Sequence, residues 1–423
     1  MNDALFERVA REDPARVEAL TGSSRLEQDR AMRARLLAVI DRESPLAAGR
    51  FRGRGGSLLA AGASIVIVVA VIAVFATVDH QTIPPRHAAP ADRDRSTAIP
   101  AKPVELYAAG VVDVGAPPQA LLASGDALYV ATPRSVVRLN LRNGSTIART
   151  PIPTNGVNAG LAFGAGSIWL APTGSTQLVR IDPTTGRIVA SIHVDASVDG
   201  ATGSLGGGVA YAAGAVWATR LSSGARGDVV AVNPATNRIE GTPATVGTGP
   251  DAIVSGLGSL WVDNTSTAIG STTASTTYSS LSRIDPRTQR VTTVPFSGTP
   301  MIGFGSLWIQ TNAESDNGAV VRYDPATSRV ITRIAIPRVA ALGFGDGRVW
   351  AISSPRSGSA STFNPVKGTA ALYQIDPRTD RTIGTPIHLQ MTEPDAIAVT
   401  QSQLWIADYS SGKVSHFQLT RRP

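Results

Sequence analysis

The sequence contains no cysteine and only 4 methionines among its 423 residues. Without cysteine there is no disulfide, no thiolate metal site and no cysteine nucleophile. Lysine and glutamate are also scarce, whereas glycine occurs 41 times beside many serines and threonines. This composition favours short strands joined by tight turns over helices.

The charge balance is basic, with a formal net charge of +7 and a pI near 10.1. Nearly all of the positive charge is arginine, because only Lys102, Lys367 and Lys413 are lysines. Nucleic-acid binding uses basic side chains gathered on one surface to neutralise phosphates. The arginines here are spread over repeated turns and the N-terminal segment. We therefore expect no nucleic acid among the partners.

One apolar run interrupts this polar pattern. From Ser57 to Val78 the chain reads "SLLAAGASIVIVVAVIAVFATV", with no charged residue. As a helix rising about 1.5 Å per residue, it would span roughly the 30 Å hydrocarbon core of a bilayer. Arginines precede the run and Asp79 follows it at once, which orients the N-terminus towards the cytoplasm. We predict a transmembrane helix over 57–78 in the cell membrane, with the C-terminal part extracytoplasmic.

The segments on either side of this helix have different patterns. Residues 79–103 are rich in proline, alanine and charge, which is typical of an extended tether. Residues 1–56 contain amphipathic helical patterns, such as Leu36 and Ile40 on one helix face, but are too few to bury a core. Two interpretations of this cytoplasmic helical segment stay open. It is either a helical pair on the inner leaflet or a docking helix for a cytoplasmic partner.

The tryptophans mark an internal repeat. All 6 follow similar residues, in "GSIW", "GAVW", "GSLW", "GSLW", "GRVW" and "SQLW", and "DALY" supplies a seventh aromatic. The marker aromatics are Tyr129, Trp169, Trp217, Trp261, Trp308, Trp350 and Trp405. Their spacings run from 40 to 55 residues, the size of a four-stranded propeller blade. Each tryptophan is predicted to pack between neighbouring blades, where it would bury about 200 Å².

A second marker follows each tryptophan except Trp405, as in "RIDPTTGRI" and "RIDPRTQRV". Asp or Asn before proline presets a type I turn, and the residue after the threonine tolerates the left-handed conformation of a bulged hairpin. The pattern therefore predicts a hairpin between the third and fourth strands of each blade. Under this interpretation the turn acids are structural rather than catalytic; they are Asp182, Asn233, Asp285, Asp324 and Asp376.

The last repeat ends after its third strand, and an unassigned strand over 104–115 precedes the first repeat. The simplest solution places this N-terminal strand in the last blade, which would close the ring and remove its open edges. We predict an all-β, seven-bladed β-propeller with four-stranded blades over 104–423, preceded by the tether, the transmembrane helix and the short helical cytoplasmic segment.

The repeat "GSLWV…RIDPxTGRV…PxAIA" is similar to those of bacterial YVTN-type (YncE-like) seven-bladed propellers and of virginiamycin B lyase-like proteins. The resemblance covers the chain from Val104 to the C-terminus. It implies the architecture, whereas the propeller fold hosts many unrelated functions.

The variable loops indicate where a ligand would bind. Long insertions follow Asn264 and Ile352, in the connections between second and third strands, and loops on one face of a rigid scaffold commonly carry binding sites. The alternative is that polar residues there are solvated or cap strand ends. The candidate ligand-binding residues are Arg134, Arg220, Asp251, Asp263, Asn264, Gln310, Asn312, Asp395, Asp408 and Tyr409.

An enzymatic alternative needs other residues. A virginiamycin B lyase-like metal-dependent lyase or hydrolase would use a carboxylate for the metal and a nearby histidine as base. The resemblance implies a Glu and a His close together in sequence, and the segment beyond the tether has no such pair. His193 and His388 fall in predicted fourth strands. The sequence therefore favours a non-catalytic binding or sensing module for a protein, cell-wall or small-molecule ligand, with no catalytic residue, metal or cofactor assigned.

Overall fold

A computed structural model describes residues 101–153, 157–194, 204–221, 227–264, 280–294, 296–311, 317–354, 356–357, 364–365 and 370–421. Within those ranges the chain forms strands and turns, and no helix there is long and apolar enough to cross a bilayer. The predicted transmembrane helix and cytoplasmic segment, and most of the tether, lie outside the described residues.

Seven sheets form the blades of a propeller, which confirms the predicted all-β, seven-bladed fold; six have four strands, and in blade 6 the fourth strand is divided into two. The strands of blades 1 to 3 are β2 (Ala120–Ser124), β3 (Ala127–Thr132), β4 (Ser135–Asn140), β5 (Thr146–Pro151), β6 (Val157–Gly164), β7 (Ser167–Thr173), β8 (Gln177–Ile181), β9 (Ile188–His193), β10 (Ser204–Ala212), β11 (Ala215–Leu221), β12 (Asp228–Asn233) and β13 (Arg238–Thr245).

Blades 4 to 6 follow in chain order. Their strands are β14 (Pro250–Gly256), β15 (Ser259–Asn264), β16 (Ser280–Ile284), β17 (Val291–Val294), β18 (Thr299–Gly303), β19 (Ser306–Thr311), β20 (Ala319–Asp324), β21 (Arg329–Ala335), β22 (Val339–Gly345), β23 (Arg348–Ser353), β26 (Ala370–Asp376), β27 (Arg381–Thr382) and β28 (Ile387–Leu389). Strands β27 and β28 both pair with β26 as a divided fourth strand. The short hairpin of β24 (Arg356–Ser357) and β25 (Asn364–Pro365) lies between β23 and β26 in the chain.

Blade 7 joins the two ends of the described chain. It contains β29 (Pro394–Val399), β30 (Gln403–Asp408) and β31 (Lys413–Arg421), and its fourth strand is β1 (Val104–Asp113). Strands β1 and β31 pair antiparallel along their length, from Val104 opposite Arg421 to Asp113 opposite Lys413. The pairing covers the edge that β31 would otherwise leave open.

Two-residue turns explain the recurring glycines before each tryptophan. In "GAGSIW", Ala165 and Gly166 connect the first and second strands with φ of 48° and 68°, and Leu257 and Gly258 do the same in blade 4 with 54° and 72°. Positive φ at both central residues is the geometry of the type I′ hairpin, whose twist matches that of the strands. The glycine therefore serves the backbone of the hairpin.

The Asp-Pro turns lie between third and fourth strands, as their pattern predicts. The Oδ1 atom of Asp182 accepts hydrogen bonds from the amides of Thr184 and Thr185, at 2.7 and 3.0 Å. These bonds, with that from Thr185 the stronger influence, hold the pKa of the Asp182 carboxyl below its usual value. Gly186 then adopts φ of 68°. The acid shapes the turn, which is the structural interpretation reached from the sequence.

The tryptophans pack between blades. Trp261 is fully buried in a cluster that joins blade 4 to blade 5, and its Nε1 donates to the carbonyl oxygen of Gly256 at 3.2 Å. An arginine of the third strand covers the ring, with the guanidinium of Arg283 5.3 Å from its centroid, and donates onward to the Pro325 carbonyl of blade 5. Each such layer couples two neighbouring blades.

Blade 7 departs from this layering. His416 lies opposite Trp405, at the position where blades 2, 4 and 5 have the arginine and blades 3 and 6 have Ala231 and Gln374. Its ring stacks on Trp405 with centroids 3.9 Å apart and planes 4° apart. Burial lowers the pKa of His416, which favours its neutral form. The closing blade therefore stacks an imidazole on its tryptophan in place of a guanidinium.

The two faces of the propeller differ in what they carry. Because consecutive strands alternate in direction, first strands begin at the face where second strands end, and we call this the mouth face. The opposite face carries the turns between third and fourth strands. There Arg348 Nη2 donates to the Lys102 carbonyl at 2.6 Å, and Gln374 Oε1 accepts from the Val104 amide at 3.0 Å. The described end of the tether thus lies at this second face, which we call the tether face.

Candidate functional site

The candidate site is the mouth face, where the strand positions of the predicted residues converge. First strands contribute Asp251 and Asp395 at their beginnings, and second strands contribute residues at or just after their ends. The members from second strands and the connections after them are Arg134, Arg220, Asp263, Asn264, Gln310, Asp408 and Tyr409. Asn312 lies outside the described residues.

Blade 4 brings two carboxylates together. Asp251 follows the first residue of β14 and Asp263 lies next to last in β15, where a register shift separates their strands. Thr299 of blade 5 donates its hydroxyl to Asp263 Oδ2 at 3.2 Å. Loss of hydration and then the charge of Asp263 raise the pKa of the Asp251 carboxyl well above its ordinary value. This corner of the mouth therefore favours a protonated acid or a cationic neighbour.

Asn264 stabilises the same corner of the mouth face through internal hydrogen bonds. Its Nδ2 donates to the Ser280 carbonyl at 3.0 Å and to Ser282 Oγ at 3.0 Å, and its Oδ1 accepts from the Gly247 amide at 3.1 Å. The residue is fully buried. Asn264 anchors both ends of the long connection after β15 and is a supporting residue rather than a ligand contact.

Arg220 is a buried arginine among the predicted residues. Its Nε and Nη2 donate to the two carboxylate oxygens of Asp228 at 2.8 and 2.7 Å, and Nη1 donates to the Val194 carbonyl at 2.9 Å. The two side chains are 1% and 5% exposed. A guanidinium held in this way links blade 3 to the end of blade 2 and is not available at the surface.

Blade 7 carries a second acidic corner. Asp408 accepts hydrogen bonds from the amides of Thr392 and Glu393 at 3.1 and 2.8 Å, which orders the entry to β29. Asp395 is fully buried beside this entry, and Tyr409 is half-buried. Burial, and then the charges of Glu393 and Asp395, raise the pKa of the Tyr409 hydroxyl. The phenol therefore stays a hydrogen-bond donor within an acidic surrounding.

The remaining two predicted residues have different environments. Gln310 is buried, and its Nε2 donates to the Ala340 carbonyl of blade 6 at 3.3 Å. Arg134 is exposed in the turn between β3 and β4. Together with Tyr409, Arg134 is therefore among the predicted residues that a ligand at the mouth could reach without rearrangement.

Sequence reasoning missed Gln119, which directly precedes β2. Its side chain is only 4% exposed, and neither Nε2 nor Oε1 has a hydrogen-bond partner among the described residues. The signal was present in "PPQALL", which aligns with "PDAIVS" and "PDAIAV" ten residues before the marker aromatic. Gln119 is thus the blade 1 counterpart of Asp251 and Asp395.

Blades 1, 4 and 7 share this polar position, whereas the aligned positions of the other blades are alanine or glycine. In blade 3 the small residues have a packing role. A Cβ atom on Gly206 would lie 2.1 Å from the Pro250 carbonyl oxygen, and one on Gly208 would lie 2.1 Å from that of Asp251. Only glycine allows backbones to approach so closely. At this first-strand position, polar side chains are therefore confined to blades 1, 4 and 7.

The raised pKa of Asp251 predicts that this carboxylate of the mouth face lowers the free energy of unfolding at neutral pH. Because its folded-state pKa is raised, the unfolded chain loses this proton first as the pH rises above the ordinary value of 3.8. Stability then falls with rising pH until the folded-state carboxyl also ionises. Asp251→Asn should remove this loss and raise the free energy of unfolding at neutral pH by roughly 0.5–2 kcal/mol, measured by thermal and urea melts across the pH range.

Asp182→Asn is the matched control for this measurement. The pKa of Asp182 is lowered in the folded state, so its contribution is present at neutral pH and disappears as the pH falls through the folded-state value. Its variant should therefore show the opposite pH trend to Asp251→Asn. An unchanged or lowered stability of Asp251→Asn at neutral pH would contradict the assignment.

The polar groups described at the mouth are carboxylates, amides, one phenol and the exposed guanidinium of Arg134. Among the described residues, no group of three or more histidine, cysteine, aspartate or glutamate side chains could hold a metal ion. His193 and His388 lie in β9 and β28, as the sequence indicated. The long insertion after Asn264, and most of that after Ile352, lies outside the described ranges. The described groups can form hydrogen bonds and ion pairs with a ligand.

Of the comparisons with known proteins, the one with solved structures bears on the fold. No family model matches the chain, and neither does any curated protein. Among solved structures, 1198 chains match. One is a chain of the hydrazine synthase of Kuenenia stuttgartiensis, with a TM-score of 0.51 and 12% identity over 74% of this chain and 97% of that one. A likeness at this identity establishes a β-propeller, while the resemblance to YVTN-type and virginiamycin B lyase-like repeats stays a prediction.

Proposed function

We propose that the protein is a single-pass membrane protein whose propeller stands outside the cytoplasm and binds a ligand at its mouth face without transforming it. The apolar run over 57–78, with arginines before it and Asp79 after it, supports the anchor and its orientation. The ligand is a protein, a cell-wall component or a small molecule. A cytoplasmic partner for residues 1–56 belongs to the same proposal.

The observation that carries this proposal is that the tether and the mouth lie on opposite faces of the propeller. The tether reaches the propeller at the tether face, where Gln374 Nε2 donates to the Val104 carbonyl at 2.7 Å in addition to accepting from its amide. First strands begin at the other face, with Gln119, Asp251 and Asp395. A chain anchored through its tether would therefore be attached on the face opposite the mouth, which leaves the mouth accessible to an extracytoplasmic ligand.

Site-specific photo-cross-linking in intact cells tests this orientation and the use of the mouth. The full-length chain would carry p-benzoylphenylalanine at Arg134 or Tyr409 on the mouth face. Matched probes at Arg142 or Arg329 would report the tether face. We expect a discrete adduct from the mouth positions only, lost in the Asp251→Ala variant if that carboxylate contacts the ligand.

Two outcomes would overturn the proposal. Adducts of equal yield from both faces would show that the mouth has no special role. Ring opening of a cyclic depsipeptide by the purified chain with divalent metal, lost on changing Asp263, would replace binding by lyase chemistry.

A further inference from the structure

A band of arginines surrounds the tether face. In blades 1 to 6, exposed arginine side chains lie in the turns between third and fourth strands and at the strand starts beside these turns. These are Arg142, Arg187, Arg238, Arg287, Arg290, Arg329, Arg378 and Arg381. We call this set the arginine band. Residues that are far apart in sequence are thus collected on one side of the molecule by the closed ring.

The band has a regular register. In each of blades 2 to 6 one arginine directly follows the left-handed turn residue, as Arg187 follows Gly186 and Arg290 follows Gln289. The corresponding turn residues have φ of 68° and 59°. This position starts the outer strand, so each guanidinium lies at the rim rather than over the axis. Five adjacent blades therefore repeat one positive charge at the same height.

Acids in the same turns are committed to the backbone. Asp285 Oδ1 accepts from the amides of Arg287 and Thr288 at 2.8 and 3.2 Å, as Asp182 does in its own turn. Asp376 accepts from the amide and guanidinium of Arg378. Charge pairs at such exposed positions are strongly screened. Arg378 is thus paired within its own turn, whereas the other carboxylates of these turns bind backbone amides and leave the arginines of the band exposed.

The tether leaves the propeller at the same face. The amide of Ala101 donates to Asp376 Oδ2 at 3.2 Å, and Lys102 precedes β1 there. A tether over 79–103 spans up to about 3.3–3.6 Å per residue, which is ample to let the face either rest on the membrane or stand clear of it. In a chain anchored before residue 79, the arginine band would therefore lie on the face of the propeller to which the tether attaches.

We propose that the arginine band is a docking surface for the anionic phospholipid headgroups of the membrane that holds the anchor. This inference rests on the proposed function, because it requires the transmembrane helix. Guanidinium groups bind phosphate oxygens through paired N–H donors. Basic residues near an anionic membrane surface add to binding one by one. Docking would fix the propeller with its mouth directed outward, where a free tether would let it tumble.

Trypsin cleavage of the full-length chain in lipid nanodiscs tests the docking. The bond after Arg287 lies within the band and is present in every variant to be compared. In nanodiscs of phosphatidylcholine mixed with phosphatidylglycerol, cleavage there should be roughly tenfold slower than in phosphatidylcholine alone. Raising NaCl to about 1 M, where the screening length is about 3 Å, should abolish the difference.

Two matched double variants test whether the lipid-dependent protection comes from the arginine band or from the total charge of the chain. Arg187→Gln with Arg329→Gln removes two charges from the band, whereas Arg134→Gln with Arg333→Gln removes two from the mouth half. Only the first pair should lose the lipid-dependent protection. Equal loss in both pairs would reduce the effect to net charge and overturn the assignment.

The remaining outcomes distinguish docking of the arginine band from the proposed membrane anchor on which it rests. Failure of the chain to enter nanodiscs of either lipid would refute the anchor itself. Entry with equal cleavage in both lipids would refute docking and leave the anchor standing. Protection by a short duplex DNA in neutral nanodiscs, without protection by anionic lipid, would reassign the band to nucleic acid.

Discussion

Replacing Arg220 with methionine should destabilise the propeller by about 3–5 kcal/mol, because it leaves a buried carboxylate without its partner. Asp228 is 5% exposed and receives two guanidinium hydrogen bonds, at 2.8 and 2.7 Å. The loss of the bond to the Val194 carbonyl adds an unsatisfied acceptor between blades 2 and 3. The midpoint of urea denaturation, followed by tryptophan fluorescence of the full chain, measures the effect.

The control is an ion pair of the same chemistry whose arginine is exposed. Arg378 donates to Asp376 at 3.0 Å, and the two side chains are 62% and 2% exposed. Asp376 keeps the amide hydrogen bonds from Ala101 and Arg378 when the guanidinium is removed, so Arg378→Gln should cost no more than about 1 kcal/mol. Combining Arg220→Met with Asp228→Leu should recover much of the stability, because the buried charge is then absent as well. A single Arg220→Met variant as stable as Arg378→Gln would show that the pair is not what holds this junction.

Replacing Trp261 with alanine should cost about 3–5 kcal/mol, since it empties the interface between blades 4 and 5. The side chain is fully buried, makes a hydrogen bond to the Gly256 carbonyl and supports the guanidinium of Arg283. Loss of the ring would therefore remove its apolar contacts and also the surface against which the Arg283 guanidinium packs. Thermal unfolding monitored by circular dichroism would measure the shift.

Phenylalanine substitutions refine this expectation. Trp405 Nε1 has no hydrogen-bond partner among the described residues, whereas Trp261 Nε1 donates at 3.2 Å. Trp261→Phe should therefore destabilise more than Trp405→Phe, by about the 0.5–1.5 kcal/mol of one hydrogen bond. The reverse order would indicate that stacking on His416, with ring centroids 3.9 Å apart, outweighs the missing bond.

The fold was largely readable from local rules. Marker aromatics recur with the spacing of one blade, and turns such as that at Asp182 have side-chain acceptors and left-handed residues at fixed positions. Each rule concerns a few neighbouring residues and therefore also holds in the folded chain. The type I′ turn at Ala165 and Gly166 was not recognised from the sequence, although "GxG" before the tryptophan contained its signal.

The site was less readable, because polar residue type does not distinguish a ligand contact from an internal support. Arg220 and Asn264 were predicted at the mouth, yet both are buried and engaged by the protein's own groups. Gln119 was missed because one amide among many has no chemical signature in sequence. Its alignment with Asp395 is available from the repeat, but its burial is seen only once the blades are assembled.

The sequence by itself determined the repeat, the turn chemistry and the apolar run over 57–78, since each depends on residues close together in the chain. Only the tertiary structure decided which charges face each other and which share a surface. Arginines that look dispersed in sequence lie on one rim, because every blade places its third-to-fourth turn at the same face. Burial decided the rest, because the energy of a charge depends on its partners and its hydration, which a one-dimensional pattern does not contain.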